Sequence, residues 1–348
     1  MKMYHIQIGI NISSEAKTDF IVNELIPFLE EHVKDNYYFT RSVNVIPVID
    51  LYLNTSDIKI TYIYSKIQSI FDKYLSNLSE ASVQENKYYL DNQKNISRVN
   101  GYSACIPIEN LTIKCEKIEA IKRDGEYNHP IDKEIYTDYF IKGQKVLEKA
   151  IKFLYNRDED IQLKLLFGMF YSASMQLDKT GIGYGYLSFK SHLLGFLSYR
   201  HKDMGKYKKM FQDKFTEMAE TLSSFGGFIE NNFKGEVPEQ IPEEIIEICR
   251  EWESLYSNMY QELLTAENET NTNKAFSISL SMQHRRFRSL SSFHKAAFSN
   301  ANKDFFKKKE FQAYRMLVNF VYLLLPAMGL NSRKRVEASY LLVNTKEA

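Results

Sequence analysis

Residues 4–10, "YHIQIGI", set the reading of the fold. Tyr4, Ile6, Ile8 and Ile10 fall on one side of an extended chain and His5, Gln7 and Gly9 on the other, the period-two pattern of a strand. Ser13 or Ser14 then caps a helix with Glu15 in its first turn. Ile21, Leu25, Phe28 and Leu29 continue at helical spacing. Pro27, which has no N–H to donate, is expected to kink that helix. "YYFTRSV" (37–43) and "IPVIDLYL" (46–53) read as two further strands. Asp57 opens another helix with Ile60, Ile63, Ile67, Ile70, Phe71, Tyr74, Leu75 and Leu78 on one face.

Segments around 86–91, 102–108 and 111–121 offer more strands. The order strand, helix, strand, strand, helix, strand predicts an α+β protein whose first region, 1–125, is a ferredoxin-like (split β-α-β) sheet. The turn-rich stretch "KRDGEYNHP" (122–130) marks a boundary. From there a mainly helical region, 126–348, is expected to pack on the sheet. Its periodicity predicts helices over roughly 132–155, 160–177, 187–200, 206–232, 241–266, 276–300, 308–325 and 331–343.

The chain has 348 residues, 44% hydrophobic and 26% charged, with a net charge of +1. That balance is ordinary for a globular protein and argues against strong nonspecific nucleic-acid binding. The three cysteines, Cys105, Cys115 and Cys249, form no CxxC pair, which fits a reducing cytoplasm better than a disulfide scaffold. No signal segment opens the chain. The apolar stretch 316–330 contains Asn319 and Pro326 and falls short of the roughly 20 residues a membrane span needs. The expected localisation is therefore cytoplasmic, without a membrane partner.

Few motifs announce chemistry. "GIGYGY" (181–186) lacks the third glycine of a phosphate loop, has no strand before it, and reads as a connector. The histidines show no metal-ligand spacing, so no metal is expected. Basic runs at 200–209, 284–288, 307–309 and 333–335 read either as solvated helix ends or as a groove for an acidic partner. "HRRFR" (284–288) is the most suggestive, because Arg285, Arg286 and Arg288 flank Phe287 and arginine bonds carboxylates bidentately.

The densest cluster of hydroxyls lies in "GYGYLSFKSHLLGFLSYR" (183–200). Leu187, Leu193, Leu194 and Leu197 can face a core. Ser191 and His192 are adjacent and diverge by about 100° on a helix, so they form no dyad with each other. Ser188 and His192 are four apart and can meet. Tyr184 and Tyr186 precede them where side chains can turn over a pocket. A packed helix with satisfied hydroxyls is the alternative reading.

The whole-chain pattern resembles the thiopeptide-type, lantibiotic-dehydratase-like elimination-domain family. The resemblance runs through "YHIQIGI" and the helix after it, "YYFTR" (like the family's Phe-Phe-x-Arg), "IPVIDLYL", the Ser-His helix "YLSFKSHLLGFL", and "GLNSRKRVEASYLL" (like its closing Leu-Gly-Leu and final helix). Members that eliminate glutamate carry a His-Leu-Arg-x-Arg strand where this chain has "VIDLYL". Their Arg-Tyr-Gly-Gly motif is replaced by "YNHPIDKEIYTDYF", and their His-Met-x-x-Asn-Arg motif by "LVNFVYLLL". The departures point to the pyridine-synthase branch.

That branch implies a formal aza-[4+2] cycloaddition of two dehydroalanines in a modified precursor peptide, with loss of water and expulsion of the leader peptide. No cofactor is implied. Tyr186, Ser188 and His192 are the candidates for proton transfer and hydrogen bonding, with Tyr184 and Arg200 as supports. Arg285, Arg286 and Arg288 are the candidates for holding an acidic leader, and dehydratase proteins of the pathway are candidate partners. Glutamate elimination from glutamylated Ser or Thr is the runner-up. A noncatalytic partner that binds leader peptide or RNA is the third reading.

Overall fold

The computed structural model describes residues 2–44, 46–79, 82, 108–118, 130–181, 183–200, 202–265, 291–297, 299 and 303–348. It divides into two compact units, Met1–Tyr155 with Pro326–Gly329, and Asn156–Leu325 with Leu330–Ala348.

The first unit holds strands β1 (Lys2–Gly9), β2 (Tyr37–Asn44), β3 (Ile46–Thr55) and β4 (Ile113–Ile118) in one sheet of order β2-β3-β1-β4, each neighbouring pair antiparallel. Helices α1 (Ser14–Phe20) and α2 (Ile26–His32) connect β1 to β2, and α3 (Asp57–Ser76) follows β3. The expected α+β class holds, with helix far outweighing strand. Expected strands around 86–91 and 102–107 lie outside the described residues, as does the passage from α3 to β4, so the split β-α-β reading here concerns strand order alone.

The period-two pattern sorts the sheet. Ile6, Leu51 and Phe39 lie side by side on one buried face. His5, Gln7, Asp50, Tyr52, Tyr38 and Thr40 share the other, also largely buried. There His5 Nε2 lies 2.8 Å from Asp50 Oδ1, and Gln7 donates to the same oxygen at 3.1 Å. Ser42 donates to the second carboxylate oxygen. These bonds hold Asp50 below the usual carboxylate range although its burial pushes the other way. The rings of His5, Tyr52, Tyr38 and Phe140 stack in one column, with successive centroids 4.4, 4.7 and 4.9 Å apart.

Pro27, expected to kink its helix, sits in the first turn of α2, where a missing N–H costs least, and Ile21–Leu25 widens into a π-turn just before it. Ile26 N–H accordingly reaches Ile21 O. The division into compact units falls after Tyr155. Helix α4 (Pro130–Leu154) goes with the sheet because Phe140 stacks on Tyr38 and Tyr37 bonds Glu148.

The second unit is helical: α5 (Glu159–Asp178), α6 (Tyr186–Tyr199), α7 (Met204–Glu230), α8 (Glu243–Thr265), α9 (Ser292–Ala297), α10 (Lys303–Lys307), α11 (Lys309–Leu324) and α12 (Ser332–Glu347). Helix α5 is its axle. Residues Leu163–Leu177 are buried almost all round, as an internal helix requires, and α6, α7, α8, α11 and α12 pack on it. Asp158 caps its N-terminus by accepting from Ile161 N–H at 2.9 Å. The expected helix over 276–300 is described only as α9. No helix among the described residues is long and apolar enough to cross a membrane.

Candidate functional site

Helix α6 starts where the chain is pinned. Gly185 N–H donates to Asp178 Oδ1 at 2.8 Å, and Gly185 O accepts from the buried Tyr314 hydroxyl at 2.6 Å. A Cβ at 185 would stand 2.1 Å from Ser174 O, so only glycine lets the connector come this close to α5. Gly181 and Gly183 serve the connector differently, with open space around them and left-handed φ of 78° and 70°.

From that anchor, α6 delivers His192 to the centre of a polar cluster. The imidazole stacks on Tyr322 of α11, centroids 4.5 Å apart and planes 26° apart. The Arg335 guanidinium, from α12, lies over the same phenol at 5.1 Å. His192 is exposed at the scale of a water molecule, yet enough protein surrounds it to drive its pKa down to about 3. Burial is the main cause, and Arg335, Arg315 and His294 add to it in that order. The imidazole is thus exposed at its edge and closely surrounded by protein. It stays neutral at any ordinary pH, so it offers one N–H donor and one acceptor lone pair and no charge.

The positive charge comes from the arginines. Burial raises the Tyr322 pKa, against small opposing effects from Arg335 and Ser339, and keeps the phenol protonated. Its hydroxyl and Arg335 Nε are buried without a hydrogen-bond partner of good geometry. Tyr322 therefore acts as the platform that orients His192.

The expected residues fare unequally. Tyr186 is half-buried at the start of α6, and burial, then Glu347, raises its pKa. Ser188 is half-buried beside Tyr314, whose pKa burial lifts well above the ordinary value. No hydrogen bond joins Ser188 to His192. Tyr184 is 66% exposed, in a left-handed turn with φ 65°. Arg200 is exposed at the far end of α6, about 12 Å along the helix from His192 at 1.5 Å per residue. Arg285, Arg286 and Arg288 lie outside the described residues.

Sequence reasoning missed Tyr322, Arg335 and His294. Arg335 was visible only as part of a basic run, and Tyr322 only as one apolar-face residue in "VNFVYLLL". Ser191 was set aside for its divergence from His192. Its true partner is His294 of α9, whose Nε2 lies 3.0 Å from Ser191 Oγ.

The first unit offers a second feature, a cavity of about 700 Å³ beside α4. Lys34, Lys142, Lys145, Lys149 and Lys152 ring it, with Tyr37 and Glu148 among its lining groups. Glu30 and Asp35 line it as well, and burial raises the Glu148 pKa despite its hydrogen bonds from Tyr37 and Gln144. No group of three or more His, Cys, Asp or Glu side chains suited to a metal occurs among the described residues.

Neither the protein-family models nor the curated proteins match this chain. Solved structures do. The pyridine synthase TbtD from thiomuracin biosynthesis superposes with a TM-score of 0.63 at 14% identity, covering 99% of this chain and 97% of that one. The crystal structure of TsrL gives 0.62 at 12% identity, covering 99% and 94%. Over nearly its whole length, then, this chain has the fold of a thiopeptide pyridine synthase.

Proposed function

We propose that the protein is a pyridine synthase of thiopeptide maturation. It joins two dehydroalanines of a modified precursor peptide in a formal aza-[4+2] cycloaddition, then loses water and expels the leader peptide as the ring aromatises. The observation that carries this reading is the neutral, solvent-reachable His192 stacked on Tyr322 beside Arg335, in a chain with this fold.

The chemistry asks for such a cluster. One substrate amide must move a proton from nitrogen to oxygen to become the diene. A hydroxyl must later leave as water and the leader as an amide. Each step shuttles protons between weakly acidic groups, which suits a neutral imidazole and protonated hydroxyls better than a fixed ion pair. Arg335 favours negative charge that develops on the amide oxygen. The remaining work is to bring the two alkenes together, which is a matter of proximity.

Asp50 weighs against the runner-up. The β3 strand stands where glutamate-eliminating members of the resembled family carry arginines. Here it presents a buried, hydrogen-bonded carboxylate. A glutamyl carboxylate would meet like charge. The lysine-ringed cavity of the first unit suits an acidic leader by charge.

Mass spectrometry of the purified protein with a dehydrated, azole-bearing precursor tests the proposal. The expected result is a released leader amide together with a core that has lost water. An unchanged precursor, with glutamate loss from a glutamylated peptide in parallel, overturns it in favour of elimination.

A further inference from the structure

We infer that Ser191, His294 and Ser291 form a proton relay that opens beside His192, with Ser191 as the group that meets substrate and His294 as the positioning residue behind it. The inference rests on the pyridine-synthase reading and adds residues to it.

Three observations carry it. His294 is 1% exposed, and both ring nitrogens are engaged: Nε2 with Ser191 Oγ at 3.0 Å and Nδ1 with Ser291 Oγ at 2.6 Å. Ser191 and Ser291 are both half-buried, so each end of the chain of bonds retains some access to its surroundings. Ser191 directly precedes His192 on α6, and His294 lies near enough to that imidazole to depress its pKa. Burial also pushes the His294 pKa down, so this ring too rests neutral.

A structural role accounts for part of the arrangement. Ser291 Oγ accepts from His294 N–H at 3.2 Å, which caps α9 locally. It does not account for Ser191, on a different helix, closing the other side of the ring.

The transfer balances without a net charge on the histidine. With the Nδ1–H tautomer, a substrate amide gives its N–H proton to Ser191 Oγ as the Ser191 proton passes to His294 Nε2. The Nδ1 proton moves to Ser291 Oγ, which releases its own proton to water. The substrate N–H bond breaks, an O–H bond forms when the relay runs in reverse toward the amide oxygen, and no electrons are gained or lost. In a second pass, as the ring aromatises, the relay carries a proton lost by the ring to the departing leader amide.

Two measurements on the full-length protein decide the matter. The first is ¹⁵N NMR of the histidine side chains, which needs no substrate. Its expected result is a neutral His294 whose tautomer populations shift in Ser191→Ala. A His294 that titrates near 6.5, or one indifferent to Ser191→Ala, overturns the relay. The second is turnover of the dehydrated precursor by His294→Gln and Ser291→Ala, with melting temperature as the folding control. Gln can replace both hydrogen bonds but cannot exchange tautomers. We expect His294→Gln to lose kcat about 10²-fold with KM held, the usual size of an acid–base contribution, and Ser291→Ala to lose less. Wild-type kcat in folded His294→Gln also overturns the relay. Should the wild type itself leave the precursor unchanged, the pyridine-synthase reading fails and the NMR result alone judges the relay.

Discussion

Arg41 of β2 lies against Gly329: a Cβ built on Gly329 would stand 2.9 Å from Arg41 Nη1 and 3.3 Å from Cζ. Arg41 belongs to "YYFTR" and Gly329 to the "GLNS" stretch, two motifs from opposite ends of the chain that the fold brings into contact. Gly329 also has φ +74°, a conformation that favours glycine. Arg41 donates to Thr18 Oγ1 at 3.2 Å, while its Nε and Nη2 have no hydrogen-bond partner. Burial alone lowers its pKa to about 10.

Gly329→Ala should therefore be destabilising on two counts, backbone strain and a clash with the guanidinium. We expect a loss of more than about 1 kcal/mol in urea or thermal unfolding. Truncating the guanidinium with Arg41→Ala should remove the second count. In a double-mutant cycle Gly329→Ala should thus cost less in the Arg41→Ala background than in the wild type. Strictly additive effects would show that the contact carries no energy.

His192 gives the protein a signature in mild acid. Its folded pKa of about 3 lies below the ordinary 6.5, so between those values the unfolded chain binds a proton that the folded chain refuses. The stability from the neutral ring is complete above pH 6.5 and drains as pH falls toward 3. His294 acts in the same direction. Arg335 and Arg315 oppose protonation of His192 as well, and Tyr322 stays neutral throughout. His192→Gln should melt below the wild type by a margin that shrinks, or reverses, between pH 7 and 5. Parallel melting curves across that window would mean that His192 titrates normally.

The sequence was most legible where one periodicity governed a whole element. "YHIQIGI" alternates because one face of β1 meets apolar neighbours and the other meets Asp50 and Tyr52. The long helices 130–154, 159–178, 204–230 and 243–265 showed their apolar faces just as plainly. The candidate site was half legible. Ser188, Tyr186 and His192 stood out because hydroxyls and an imidazole are unusual in an apolar helix. Their partners did not. Tyr322 and Arg335 reach His192 from α11 and α12, and His294 reaches Ser191 from α9. No local pattern encodes such meetings. Pro27 announced a local irregularity, which the chain meets with the π-turn at Ile21–Leu25.

Tyr322 separates two roles that a single alanine would confuse. Its ring supports His192, while its hydroxyl is buried and unpaired. Tyr322→Phe keeps the platform and removes an unsatisfied group, so stability should hold or rise by about 1 kcal/mol with turnover unchanged. Tyr322→Leu keeps much of the volume but loses the stack. We expect kcat to fall about tenfold as the imidazole is freed, since small misplacements at a reacting centre are expensive. Equal activity in both variants would show that the stack does not position His192. A large loss in Tyr322→Phe would assign the hydroxyl a part in the chemistry.

The lysine-ringed cavity makes the last expectation, about leader recognition. Lys152 is held by Glu30 at 2.7 Å, and Lys145 by Asp35. Lys34 also lines the cavity, and no ion pair to it occurs among the described residues. An acidic peptide laid here gains attraction that steers association more than it alters any reacting group. Lys34→Glu combined with Lys142→Glu should raise KM for a leader-bearing precursor about tenfold and leave kcat alone. Raising the salt from low ionic strength toward 1 M should weaken the wild type in the same sense, because the screening length shrinks from about 10 Å at 0.1 M to about 3 Å. A precursor with a neutral leader should ignore both changes. If the double variant instead lowers kcat for every precursor alike, the cavity contributes to folding or catalysis and the leader lies elsewhere.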